Sequence, residues 1–136
     1  MNYIFSAIFL YFFLGFLLYI FQRRIVFNKS GHPGSPKDYN LDNTEEVYIK
    51  TEDNLKLLSW YHKGNNSLPL IVYFHGNSFH IGDRAYRIQR YIEKNWSVLL
   101  VSWRGFGGNK GNPTEKNLYK DAEAVLKWIK NNTEFK

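Results

Sequence analysis

Leu70 to Arg84, LIVYFHGNSFHIGDR, is the stretch on which the reading of the whole chain turns. Leu70–Phe74 has the continuous apolar character of a buried strand, breaks at His75-Gly76-Asn77 and passes within a few residues into a helical pattern. Strand, turn and helix in that order present backbone N–H groups near a helix N-terminus, where developing negative charge is stabilised. Gly76 has no side chain, so another backbone or a substrate can approach closely. The stretch reads as half of an active site, the other half of which is not in the chain.

Working outward, Glu45–Thr51 and Leu55–Lys63 read as two strands joined by the turn-forming Glu52-Asp53-Asn54, an antiparallel hairpin. Pro69–Phe74 has the composition of a central strand covered on both faces. Beyond the loop, Ile81, Ala85, Ile88 and Ile92 form one stripe of an amphipathic helix ending near Asn95. Ser97–Trp103 is a second buried strand, short and β-branched, so the two strands and the helix between them make a βαβ unit. Arg104–Pro113 carries four glycines in ten residues and is a loop with unusual torsions. It is not a phosphate-binding P-loop, because no Gly-Lys-Ser/Thr follows the required spacing. Thr114 caps a last helix with Glu115 in its first turn, the stripe Leu118, Ala122, Val125, Ile129, and Lys127 and Lys130 near its end. No strand follows before Lys136.

The N-terminal 22 residues answer to a different solvent. Ile4–Phe21 has no charged residue, and with Met1–Tyr3 it is long enough, at about 1.5 Å per residue, to span the roughly 30 Å hydrocarbon core of a bilayer. A cleaved signal peptide would need a basic leader, a shorter apolar core and a small-residue cleavage site, and none is visible. Arg23 and Arg24, with Lys29 and Lys37 beyond them, place the C-terminal domain on the cytoplasmic side. Residues 23–44 read as a linker or an extended loop leading into the domain, rich in proline, glycine and small polar residues from Asn28 to Asn43, and residues 45–136 as the folded unit. About 115 residues outside the apolar segment can bury a modest core but are few for an α/β enzyme, many of which need roughly 200.

Composition removes several function classes. The formal charge of +6 lies wholly after residue 22 and is interspersed with acids, without the basic stripe that nucleic-acid binding requires. The absence of cysteine excludes disulfides, thiol catalysis and cysteine-ligated metals. No metal or organic cofactor is implied.

Taken jointly, Tyr73-Phe74-His75-Gly76-Asn77, Val98–Val101 with Arg104-Gly105-Phe106-Gly107, Asn112-Pro113-Thr114-Glu115, and Tyr119 with Asp121–Val125 resemble the α/β-hydrolase superfamily, and within it the membrane-anchored Bem46-like serine hydrolases. The resemblance covers about Glu45 to Ile129 and implies hydrolysis of acyl esters or thioesters. It further implies that the backbone N–H of Asn77, with Gly76 beside it, forms part of an oxyanion hole, and that His75 is structural. Two local departures are Ser102-Trp103, where members often have Asp-Tyr, and Asn109, where they often have serine.

The larger departure is that Gly-x-Ser-x-Gly, the acid and the histidine expected after the next strand are not found within residues 1–136. Ser78, in Gly76-Asn77-Ser78-Phe79-His80, is the one internal candidate nucleophile, although His80 stands where the motif wants glycine. The expectation is an α/β fold that is incomplete: a truncated or split hydrolase carrying the oxyanion loop without the triad, inactive alone, and completed by a second polypeptide. Its strand Leu70–Phe74 would keep an unpaired edge, leaving the domain poorly stable or bound to a partner. The rival expectation is a non-catalytic, membrane-tethered interaction protein that uses the same edge to add a partner's strand.

Overall fold

The computed structural model describes residues 2–29 and 31–135. An apolar helix α1 (Asn2–Val26) precedes a short strand β1 (Asn28–Lys29), the hairpin β2 (Thr44–Lys50) and β3 (Lys56–His62), then β4 (Leu70–Phe74), β5 (Ser78–Phe79), α2 (Ala85–Ile92), β6 (Ser97–Val101) and α3 (Glu115–Asn132). The main sheet has the order β2-β3-β6-β4. β2 and β3 are antiparallel with Thr44 opposite His62, β3 and β6 are antiparallel with Ser59 opposite Val101, and β4 and β6 are parallel with Val72 opposite Leu99. The hairpin and the βαβ unit stand where the residue pattern puts them.

One core cluster joins Leu58, Trp60, Val98 and Leu100 to Ile81, Ala85 and Ile88, the stripe leading into and along α2. The other joins Ile49, Leu57, Leu99 and Val101 to Ala124 and Val125 of α3. Alternate residues of each strand serve opposite clusters, as the two-residue period of a strand requires. With helices serving both clusters, β6 is buried at all five positions.

Four expectations differ from the observed structure. Pro69–Phe74 was expected to be covered on both faces, yet all five residues of β4 are only half-buried. β4 pairs with β6 alone, so its second edge has no strand beside it among the described residues. Secondly, α1 continues through Arg23 and Arg24 to Val26, since neither proline nor glycine interrupts it there. Thirdly, the helix at Ile81 opens with a 3-10 turn (Ile81–Arg84) before α2 proper.

The fourth difference concerns residues 23–44, which are not a free tether. Pro36–Tyr39 forms a 3-10 turn, Leu41 is 1% exposed in the first core cluster, and the Tyr39 ring lies 5.5 Å from that of Trp60. Three apolar anchors without periodicity suffice to dock this segment. The pattern reading missed it because isolated apolar residues among prolines and glycines carry no period.

Candidate functional site

The loop after β4 is held by the loop after β6. Trp103 stacks on Phe74 at 4.5 Å, and its indole N–H donates to the His75 carbonyl (2.9 Å). Its backbone N–H donates to His75 Nε2 (3.3 Å). His75 is 3% exposed and lies edge-on to Phe106. Burial pushes its pKa down to about 4, against a smaller opposing influence of the Gly76 backbone, so the ring is neutral at pH 7. Because Nε2 accepts, the ring proton is assigned to Nδ1. Trp103, half of the Ser102-Trp103 departure from the resembled pattern, is thus a tether for the His75-Gly76-Asn77 turn, while the Ser102 hydroxyl donates to the Phe106 carbonyl within its own loop.

Gly76 and Asn77 are exposed at the C-terminal end of β4, and neither backbone N–H makes a hydrogen bond among the described residues. A Cβ on Gly76 would meet nothing within 4 Å, so packing does not explain the glycine, and the space above it is open. The other polar groups of Asn77 are used: its carbonyl accepts from Asn28 N–H (3.1 Å), and its Nδ2 donates to the Val26 carbonyl (2.9 Å). β1 and β5 pair in parallel, Asn28 opposite Ser78 and Lys29 opposite Phe79. The end of α1 is therefore bonded directly to the candidate site, a junction that no local pattern announces.

Ser78 lies in β5 rather than at the apex of a turn, and its hydroxyl donates to Asn77 Oδ1 at 3.4 Å. His80 pairs with Asp83, Nδ1 to Oδ2 3.1 Å, and the same carboxylate accepts the His80 N–H (3.2 Å). The structure records no bond between Ser78 and His80. Among the described residues no three His, Asp or Glu side chains are grouped to hold a metal ion.

Behind this loop, the residues that first draw notice only as parts of a motif form a buried ionic knot. Arg104, 2% exposed, donates from Nε to Asp121 Oδ1 (2.8 Å) and from its backbone N–H to Asp121 Oδ2 (3.0 Å). It also reaches Asp53 in the hairpin turn through both terminal nitrogens (2.7 and 3.1 Å). Burial opposes the charge on Arg104, but the bonds from Asp121 and Asp53 outweigh it and hold the guanidinium above its usual pKa. The Arg104 bond, then the Thr51 bond, hold Asp53 well below the usual carboxylate range. One side chain thus pins the β6 loop to both α3 and the hairpin.

Asn109, the second local departure, spans the top of the sheet. Its Oδ1 accepts from Leu58 N–H (2.9 Å) and its Nδ2 donates to the Ser102 carbonyl (2.9 Å). The amide extends the ladder past the last β3–β6 backbone pair. Asn109→Ala leaves the Leu58 N–H without its acceptor and is expected to lower stability by about 2 kcal/mol, measured by urea titration. Asn109→Ser, the residue common in the resembled family, is expected to recover part of that.

No family model matches the sequence. Among curated proteins, the chain is 33% identical over 122 residues to the uncharacterized protein Rv2307c of Mycobacterium tuberculosis, covering 85% of this chain and 42% of that protein. It is 32% identical over 127 residues to protein bem46 of Schizosaccharomyces pombe, covering 85% and 42% respectively. Among solved structures, the Pyrococcus furiosus esterase Pf2001 superposes with a TM-score of 0.60 at 26% identity over 78% of this chain and 42% of the esterase. The chain spans about two-fifths of the length of the curated relatives it matches. These likenesses and the β2-β3-β6-β4 sheet relate the chain to Bem46 and to the α/β-hydrolases, of whose fold it bears part.

Proposed function

We propose that this chain is the oxyanion-bearing part of a membrane-anchored acyl-ester or thioester hydrolase. It becomes active when a segment carrying Gly-x-Ser-x-Gly, an acid and a histidine adds beside β4. The observation that carries this reading is the pair of N–H groups, Gly76 and Asn77, that are unbonded among the described residues, beside open space at the end of a strand whose outer edge has no strand paired to it among those residues. A strand added at that edge would end next to those donors. A serine at its tip would attack an acyl carbonyl there, a histidine would take its proton, and the Asn77 N–H would stabilise the oxyanion. The esterase description of the Pyrococcus protein supports the ester class. α1 is long and apolar enough to cross a bilayer. The basic pair at its end supports a cytoplasmic C-terminal domain.

Two measurements test this. The purified chain of residues 1–136 should hydrolyse a nitrophenyl ester no faster than buffer. Turnover abolished by Ser78→Ala would instead assign the nucleophile to this chain. Secondly, capture from native membranes should recover a polypeptide that bears Gly-x-Ser-x-Gly and labels with a fluorophosphonate. A stoichiometric partner lacking such a motif would favour the second reading, a tethered interaction protein that pairs through β4, which the half-burial of all five β4 residues also supports.

A further inference from the structure

We propose that Arg23, Arg24 and Lys29 form a binding site for the phosphate group of an anionic membrane lipid. The three side chains line one cavity of about 540 Å³ between the end of α1 and the turn at Asn112-Pro113, with Phe27 and Pro113 as its apolar wall. None of the three forms an ion pair with an acidic side chain among the described residues, and no acid lines the cavity. The partial negative charge of about one half at a helix C-terminus is small against three whole cations. The Val26 carbonyl there is already occupied by Asn77 Nδ2 (2.9 Å).

The cavity walls are held in place. Phe27 lies edge-on to Phe106, β1 pairs with β5, and Lys29 Nζ stands 3.2 Å from where a Cβ on Gly105 would lie. Arginine forks and a lysine ammonium are the groups that hold phosphate oxygens, and the volume falls in the range of ordinary ligand cavities. The membrane is favoured over free phosphate as the source because two of the three cations belong to the apolar helix itself. Its 25 residues run about 37 Å, which sets its last turn at headgroup level when the preceding turns fill a core of roughly 30 Å. The inference rests on α1 lying in a bilayer and is independent of any hydrolase activity.

The test is native mass spectrometry of the full chain released from neutral detergent, titrated with phosphatidylglycerol and with phosphatidylcholine. Selective retention of one phosphatidylglycerol is expected. At about a fivefold loss per cation removed, Lys29→Gln weakens it about fivefold and the combined Arg23→Gln, Arg24→Gln, Lys29→Gln variant roughly a hundredfold. Lys37→Gln, a cation outside the cavity, should leave it unchanged. Equal loss with Lys37→Gln would mean diffuse attraction, and undiminished retention by the triple variant would mean another site; either overturns the proposal. Inorganic phosphate that displaces the lipid at equal concentration would overturn the lipid source. Alkaline carbonate extraction of the wild-type chain reports separately whether α1 is in the membrane.

Discussion

Asp121→Ala is expected to lower stability by about 3–5 kcal/mol, the largest loss of any single substitution considered. Asp121 is fully buried, and its two oxygens receive the Arg104 side chain and the Arg104 backbone N–H. Removing it leaves a guanidinium that is 2% exposed with only Asp53, whose side chain is one-third exposed, as counter-charge. It also orphans a buried N–H. The loss is that of an uncompensated buried charge and not the net worth of the pair, so removing both charges should be milder. Arg104→Met with Asp121→Leu is expected to recover at least half of the deficit. Urea titration of the full chain in detergent, followed by tryptophan fluorescence, measures both. If the double variant is as unstable as Asp121→Ala, the knot's role is geometric positioning of the loop and the electrostatic account is wrong.

Acid should weaken the fold well before its carboxylates titrate. His75 is neutral when folded with a pKa near 4, whereas an unfolded histidine titrates near about 6.5. Well above pH 6.5 neither state carries the proton, and the full stability is present. As pH falls from 6.5 towards 4 the unfolded chain binds a proton that the folded chain refuses, so stability declines through that window. The shift corresponds to a loss of about 3 kcal/mol by pH 4. His62, also pushed down by burial, contributes with the same sign. Asp53, held low by Arg104, gives up its contribution only as pH drops below the unfolded carboxylate value of 3.8, beneath this window. His75→Gln keeps an acceptor for the Trp103 N–H and has no proton to bind. Its urea midpoint should fall much less between pH 7.5 and 4.5 than that of the wild-type chain. Equal slopes for the two proteins would remove His75 from the explanation.

Local periodicity was enough to read the hairpin, whose strands begin and end within one residue of the alternation that announces them, and the βαβ unit from Leu70 to Val101. The turn at Gly76-Asn77 was legible too, because only a break between a strand pattern and a helix pattern could lie there. What escaped was non-local. Arg104 and Asp121 are 17 residues apart, and nothing in either neighbourhood says that they meet. The stripe Leu118, Ala122, Val125, Ile129 was a fair reading of α3, yet its buried residues are Asp121, Ala124 and Val125. Asp121, buried with its bonds to Arg104, is a position that hydropathy alone would not choose. The half-burial of β4 depends on which strands stand beside it, a property of the sheet and not of the five residues.

With α1 across a bilayer, as proposed, its direct bonding to the candidate loop would give bilayer thickness a mechanical handle on that loop. A helix of about 37 Å exceeds a hydrocarbon core of roughly 30 Å, and a membrane accommodates such excess mainly by letting the helix lean. Between the last turn of α1 and β1 there is no glycine and no free tether; Phe27 N–H still bonds back to Arg23, and Val26 and Asn28 are both held by Asn77. In that setting a change in lean would act as torque on Asn77, with no glycine hinge between α1 and β1 to take up slack. Thin and thick bilayers would set the two N–H groups at different angles to the membrane surface.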